Sequence, residues 1–198
     1  MTYIIAGLGN PGEEYAGTRH NTGRIMIEHF RSAFELPDWK EDKKIKVLVS
    51  KGKVADENIT LLEPNNFMNN SGKSIAPFVK SKKAAEKTIV IYDDIDLPLG
   101  VLRISYNRGT GGHNGLGSVA KALKTKEFIR LRVGVSKMTS KGVAKKPAGE
   151  EAVLKFLLGN FKKDEMEEIK KIAKRATEAL RLILAEGYEK AMGEVNRG

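Results

Sequence analysis

The chain has 198 residues and a formal net charge of +10 at pH 7, with 35 lysines and arginines against 25 aspartates and glutamates. Hydrophobic residues make up 40% and charged residues 30%, which is typical of a globular protein and excludes a disordered chain. No apolar run approaches the roughly 18 residues of a membrane span, and the absence of cysteine excludes disulfides, thiolate metal sites and cysteine nucleophiles. The basic charge indicates a polyanionic partner, and the lack of cysteine fits a reducing cytoplasm.

Strand and helix patterns alternate along the chain. Short segments rich in β-branched residues predict strands at 3–8, 45–50, 58–63, 88–93, 101–105 and 129–135. Apolar residues at helical spacing predict helices at about 22–35, 70–82, 114–124 and 163–186, the last ending at Gly187. This alternation predicts an α/β fold, a single domain over residues 1–198 with a mixed, mostly parallel central sheet and helices on both faces.

Residues 137–150 have no periodicity and contain several lysines. They predict a long, mobile, basic surface loop, and loops of this length in compact domains usually act as lids or binding loops.

A glycine-rich turn follows the first predicted strand, and Gly7 to Gly12 match the dinucleotide-binding spacing G-x-G-x-x-G. That motif requires a helix immediately after it, whereas Pro11 and Gly12 predict a turn and the helical pattern begins near Thr22. We therefore favour a turn that places Asn10 at the carboxyl end of a strand, where α/β sheets bind ligands.

The chain contains three histidines, and two of them lie in loops. His29 falls inside a predicted helix, where a structural role explains it. His20 lies just before that helix, and His113 lies in the glycine-rich segment 109–115, whose backbone can adopt unusual torsions. These positions make His20 and His113 the candidates for chemistry.

Three carboxylates, Asp93, Asp94 and Asp96, directly follow the fourth predicted strand. They fit a solvated turn, a metal site or an acid that orients a histidine, and the lack of a second ligand cluster argues against metal. Because His20 follows the first strand, it and Asp93 are expected at the same edge of the sheet. A carboxylate bound to one ring nitrogen leaves the other nitrogen as a base near neutral pH.

Asparagines concentrate at the predicted junctions between loops and helices, namely Asn10, Asn21, Asn65, Asn66, Asn69, Asn70 and Asn114. Helix capping explains some of them, with Asn69 or Asn70 capping the helix that runs to residue 82 and Asn114 capping the next. The alternative is that they surround a pocket, since a carboxamide both donates and accepts hydrogen bonds.

Several blocks together resemble, in order, the signatures of bacterial peptidyl-tRNA hydrolases. They are GLGNPG at 7–12, TRHN at 18–21, FMNNSG at 67–72, DDIDLPLG at 93–100, GGHNGL at 111–116, RLRVG at 130–134 and FLLG at 156–159. The chain departs from the usual family pattern at Tyr92, Asp94 and Gly117, among other positions.

The resemblance implies a cytoplasmic enzyme that cleaves the ester between a peptide and the 3′-terminal ribose of tRNA, and so recycles tRNA. It implies His20 as the catalytic base and Asp93 as the group that orients it. The substrate-binding residues implied by the resemblance are Asn10, Tyr15, Phe67, Asn69, His113 and Asn114. We expect a monomer with no metal or other cofactor and no membrane partner.

Binding of the tRNA acceptor stem is expected to depend on phosphate contacts, because every tRNA shares the same 3′ end. The basic candidates for these contacts are Arg130, Arg132, Lys137, Lys141, Lys145 and Lys146. The alternatives are a noncatalytic RNA-binding protein on the same scaffold and, from the glycine motif, a dinucleotide oxidoreductase.

Overall fold

One sheet organises the protein, and a computed structural model describes residues 2–197 of the chain. Its strands in chain order are β1 (Tyr3–Gly7), β2 (Lys40–Asp42), β3 (Val47–Val54), β4 (Glu57–Pro64), β5 (Thr88–Pro98), β6 (Leu102–Tyr106), β7 (Ile129–Met138) and β8 (Ala144–Lys145). Their spatial order is β2-β3-β4-β1-β5-β7-β6, with β8 paired to β7. The central strands β4, β1, β5 and β7 are parallel, and the strands at both edges are antiparallel to their neighbours.

Helices cover both faces of the sheet, which confirms the predicted α/β fold class. They are α1 (Thr22–Ala33), α2 (Ser71–Ile75), α3 (Lys82–Glu86), α4 (Asn114–Leu123), α5 (Glu150–Leu157), α6 (Lys163–Glu186) and α7 (Tyr188–Val195). Successive strand residues point to opposite faces, so Ile5 packs in the core with α1 and α6, while Ile4 and Ala6 pack in the core with α2 and α4. Among the described residues, no helix is both long and apolar enough to cross a membrane.

Parallel pairing places the carboxyl end of β1 beside the middle of β5, because Gly7 pairs with Ile91 and β5 continues to Pro98. Asn10, just after β1, and Asp93, two residues after Ile91 in β5, therefore lie at the same edge of the sheet. Helix α1 begins only at Thr22, after two short 3-10 turns, so the glycine turn does not lead into a helix N-terminus. The catalytic candidates therefore gather where a parallel sheet binds ligands.

Two sequence predictions of local structure are wrong. The predicted helix at 70–82 is broken into α2, a 3-10 turn at residues 76–78 and α3, because Pro77 interrupts the hydrogen-bond ladder. The predicted loop at 137–150 is interrupted, since Lys137 pairs with Lys145 in the β7–β8 hairpin and α5 begins at Glu150, while residues 139–143 and 146–149 form no strand or helix. Helix α6 has its predicted bounds and ends at Gly187, whose φ of 87° suits glycine.

Candidate active site

Three side chains meet at Asp93, in the part of β5 that runs past the end of β1. Nδ1 of His20 lies 3.0 Å from Oδ1 and 3.1 Å from Oδ2 of Asp93. Nε2 of His113 lies 3.1 Å from Oδ1 of the same carboxylate. His20 and Asp93 therefore lie side by side, as the sequence predicts. Asp93 is only 1% exposed. Sequence reasoning did not foresee that His113 binds the same carboxylate.

The hydrogen bonds define the protonation of both rings. The backbone N–H of Leu116 donates to Nδ1 of His113 at 3.1 Å, so the His113 proton lies on Nε2 and is donated to Asp93. Since Asp93 only accepts, His20 donates through Nδ1 and its Nε2 keeps a free lone pair. His20 thus has the tautomer that a general base requires.

The same geometry corrects the predicted helix caps. His113, not Asn114, is the residue whose side chain caps α4. Asn70 stands at the N-cap position of α2, but its side chain forms no cap hydrogen bond. Capping therefore does not explain Asn69, Asn70 or Asn114, and their alternative role around a pocket remains a prediction.

The charges within this cluster shift the pKa values of two groups. Burial raises the pKa of the Asp93 carboxyl, but the charges and hydrogen bonds of His20 and His113 outweigh burial and hold that pKa well below its usual value. Burial lowers the pKa of the His20 imidazole, but the charge and hydrogen bond of Asp93 raise it by more, so the net pKa is raised. Asp93 is therefore a carboxylate at neutral pH, and it makes His20 more basic.

The cluster also meets the spatial condition for a metal site, because ligand atoms of His20, Asp93 and His113 all lie within 4.8 Å of one another. A metal would need the Nε2 lone pair of His113. The Leu116 N–H already occupies the Nδ1 lone pair, so Nε2 carries a proton. The donor set fits a hydrogen-bonded acid–histidine cluster better than a metal ligand set.

Asn10 is held beside this cluster by a network of amides. Its N–H donates to Oδ1 of Asn21 at 2.8 Å, and Nδ2 of Asn21 donates back to the Asn10 carbonyl at 2.9 Å. The Met68 N–H donates to Oδ1 of Asn10 at 2.8 Å. Among residues 2–197, no acceptor takes the Asn10 Nδ2 protons, so this amide presents a fixed donor. Because Asn21 directly follows His20, its hydrogen bonds fix the position of Asn10 relative to the turn that carries His20.

The remaining predicted substrate-binding residues form no hydrogen bond to His20 or Asp93 in the described part of the chain. Met68 packs closely against Gly115, and a Cβ atom added to Gly115 would lie 2.3 Å from Sδ of Met68. This contact brings the segments of Phe67 and Asn114 together. Phe67 is 60% exposed, Asn69 and Asn114 are exposed, and Tyr15 is half-buried.

Arg19, which sequence reasoning left without a role, anchors the turn that carries His20. Its guanidinium is buried, lies 2.6 Å from Glu165 and donates to the carbonyls of Gly159 and Asn160 at 3.1 and 3.0 Å. It also lies 4.5 Å from the ring centre of Phe156. Its place beside His20 in the TRHN block was the only sequence signal for this role.

Arginines line the side of the site toward β7 and β6. A cavity of about 300 Å³ opens on Asp93 and His113 and is lined by Arg108 and Arg132. A second cavity of about 500 Å³ shares both arginines and adds Arg103. Nε of Arg132 donates to Oδ2 of Asp94 at 2.8 Å, which orients the guanidinium. These two cavities, referred to below as the arginine side, have Arg108 and Arg132 in common in their linings.

Arg130 corrects one expected phosphate contact. It is fully buried, its guanidinium lies 4.5 Å from the Phe128 ring centre, and Nη2 donates to the Arg108 carbonyl. It therefore cannot reach a phosphate from this position. Lys137, Lys141, Lys145 and Lys146 are exposed, and Lys146 pairs with Asp96.

Tyr92, one of the departures from the family pattern, packs its ring edge against His113 at 5.0 Å between centroids. Burial raises the pKa of Tyr92 to about 12, so its phenol is neutral at pH 7.

An ionised acid, an oriented imidazole and a fixed amide donor at one edge of a mixed sheet are the groups that a hydrolase uses. The family model of peptidyl-tRNA hydrolase matches residues 4–198. The peptidyl-tRNA hydrolase of Caldicellulosiruptor saccharolyticus is 40% identical over 198 residues, covering 99% of this chain and 97% of that protein. That of Thermoanaerobacter sp. is 38% identical over 98% of this chain and 99% of its own.

The crystal structure of peptidyl-tRNA hydrolase from Acinetobacter baumannii superimposes with a TM-score of 0.87 at 31% identity, covering 98% of this chain and 94% of that chain. The chain belongs to the peptidyl-tRNA hydrolase family.

Proposed function

We propose that the protein hydrolyses the ester between the peptide and the 3′-terminal ribose of peptidyl-tRNA, and so returns free tRNA to translation in the cytoplasm. The observation that carries the mechanism is the contact of His20 Nδ1 with Asp93, which leaves Nε2 free to act as the base. The proposal includes action as a monomer, without a metal ion.

The reaction needs one water and one base. His20 Nε2 accepts a proton as the water oxygen attacks the ester carbonyl carbon, and Asp93 stabilises the imidazolium that forms. The tetrahedral intermediate then collapses, its C–O bond to the ribose breaks, and the leaving 3′-oxygen takes the proton from His20. The products are the peptide acid and tRNA with a free 3′-hydroxyl.

Asn10 is proposed to stabilise the negative oxygen of this intermediate through its Nδ2 protons. Met68 N–H fixes the amide by binding Oδ1, so the donor is oriented before substrate arrives. Asn69 is a weaker candidate, because it is exposed and its Oδ1 contact is to the neighbouring Asn70 at 3.2 Å.

Asn10→Asp is expected to lower kcat by about 10²–10³-fold, the usual loss for one oxyanion donor. The new carboxylate still accepts from Met68 N–H but has no proton to donate. Single-turnover release of tRNA measures the loss, and thermal unfolding checks that the variant is folded. Wild-type kcat in a folded Asn10→Asp protein would contradict the role of Asn10.

The RNA arm of the substrate is proposed to lie on the arginine side. Arg108 and Arg132 line the cavity that opens on Asp93 and His113, Arg103 lines the neighbouring cavity, and guanidinium groups match phosphate oxygens in a two-pronged geometry. Such contacts recognise backbone and shape, as an enzyme that acts on every tRNA requires.

The function is tested by incubating the purified protein with an N-blocked peptidyl-tRNA and measuring free tRNA. We expect catalytic release, and no release from the same tRNA with its peptide held by an amide instead of the ester, because an amide is the harder bond to cleave. Binding without release of tRNA from the ester would favour the noncatalytic RNA-binding alternative.

A further inference from the structure

A basic groove lies next to the active site on the side away from the arginines. The lysine groove, as we name it, has a volume of about 520 Å³ and includes Lys44, Lys46, Phe67, Asn70 and Lys73. Cavities of this size enclose small ligands, which corresponds to a short stretch of peptide. The mechanism above uses none of the three lysines.

None of the three lysines of this groove is paired with a carboxylate in the described part of the chain. Lys44, Lys46 and Lys73 are exposed, and within residues 2–197 none of them forms an ion pair with a carboxylate. The lining contains no aspartate or glutamate. Two carboxylates lie beside the lining without pairing with these lysines: Glu41 accepts from Asn65 Nδ2 at 2.9 Å, and Asp42 accepts from the N–H groups of Lys44 and Ile45 at 3.0 and 3.3 Å. The groove therefore presents three free ammonium groups to whatever enters it.

The turn that carries two of the lysines is held in a defined shape. Lys46 has a φ of 51°, in the left-handed region that costs free energy for a residue other than glycine. Its carbonyl accepts from Asn65 N–H at 2.8 Å and from the buried Ser74 hydroxyl at 2.7 Å. The Ser74 hydroxyl also lies 2.8 Å from the Ile45 carbonyl. These contacts position Lys44 and Lys46 before a ligand binds.

The topology places the groove and the arginines on opposite sides of the reacting groups. Pro11 lines the groove next to Asn10, and the groove continues to the β2–β3 turn and α2. The arginine side is formed by β5, β7 and β6, at the other end of the strand order. Asn10 and Asp93, which follow β1 and lie in β5, stand between them.

An ester bound at this centre has two arms, and the phosphate-bearing RNA arm matches the arginine side. We propose that the lysine groove receives the peptide arm, and that its free ammonium groups give the enzyme a preference for peptides with acidic side chains near the ester. This assignment rests on the proposed function, because it requires a peptidyl ester at His20.

The test compares two substrates on the same tRNA, one carrying N-acetyl-Asp-Asp-Ala and the other N-acetyl-Asn-Asn-Ala. These peptides have nearly the same shape and differ in charge. For the wild-type protein we expect kcat/KM to favour the acidic peptide by about five- to tenfold, mainly through KM, as a few exposed ion pairs can supply. The preference should shrink as salt is added, because the pairs are solvent-exposed.

The triple variant Lys44→Gln, Lys46→Gln, Lys73→Gln is expected to bring the ratio of the two kcat/KM values close to one. A charge-matched control, Lys83→Gln, Lys170→Gln, Lys174→Gln, removes three exposed lysines that do not line the groove and is expected to keep the wild-type ratio. Loss of the preference in both triple variants would assign it to net charge and overturn the proposal.

Two further outcomes overturn it. Equal kcat/KM for both peptides in the wild type would show that the groove does not discriminate between peptides by charge. The proposed hydrolase function would be unaffected by that result. Equal losses for both peptides in the groove variant, with the acidic preference intact, would assign the lysines to RNA phosphates. Failure of the wild type to release tRNA from either substrate would instead reject the proposed function itself.

Discussion

The His20→Ala variant is expected to release tRNA about 10²–10⁴-fold more slowly than the wild type, because it loses the base that deprotonates water. Within residues 2–197, the His20 imidazole is the only side chain bound to Asp93 that has a free lone pair, since His113 uses both ring nitrogens. Substrate affinity should change much less than kcat, because the base acts on water in the transition state. Single-turnover kinetics on an N-blocked peptidyl-tRNA separates the two quantities.

A matched control is His29→Ala. His29 lies in α1, the helix that follows the turn carrying His20. Its Nδ1 lies 2.9 Å from Oγ1 of Thr177, where α1 packs against α6, and it does not contact Asp93. This variant should keep kcat even where it loses some thermal stability. A folded His20→Ala protein with turnover close to that of the wild type would reject the mechanism.

The Asp93→Asn variant is expected to lose a similar factor in kcat, about 10²–10⁴-fold, although the two side chains have nearly the same shape. An asparagine amide can donate to Nδ1 of His20, which would shift the ring proton onto Nε2 and remove the lone pair that accepts from water. Buried Asp93 also supplies the negative charge that stabilises the imidazolium, and the amide does not.

The pH profile gives an independent readout of the same interaction. His20 must be neutral to act as base, so activity is lost as the pH falls through its pKa. Asp93 raises that pKa above its ordinary value while burial lowers it. The acid limb of kcat/KM should therefore lie above the usual histidine range in the wild type and shift to lower pH in Asp93→Asn.

The control for this second prediction is Asp56→Asn, which makes the same change at an exposed aspartate paired with Lys53. It should leave both the rate and the position of the acid limb as in the wild type. If the acid limb of Asp93→Asn stays at the wild-type pH, the group that titrates in the profile is not His20.

Much of the active site could be predicted from the sequence alone, because its short motifs place histidine and aspartate side chains at the ends of predicted strands. The alternation of strands and helices predicts a mostly parallel sheet, the TRHN block follows its first predicted strand and the DDID block stands at the end of the fourth, so the meeting of His20 and Asp93 could be expected. The structure extends that fourth strand through the DDID block to Pro98. Helix α6 was predicted with its full bounds because its apolar stripe and Gly187 are local signals. The substrate-binding roles of Asn10 and the other residues come from the family resemblance, and these roles stay predictions.

The tertiary structure alone decided which side chains act together across the chain. Arg130 and Arg132 are two residues apart on β7, yet packing against Phe128 buries the first while the second pairs with Asp94 and lines a cavity. The sharing of Asp93 by His113 and the gathering of Lys44, Lys46 and Lys73 likewise depend on segments distant in sequence. Periodicity and turn chemistry act over a few residues, whereas burial and charge partners are set by long-range packing that no short window of sequence contains.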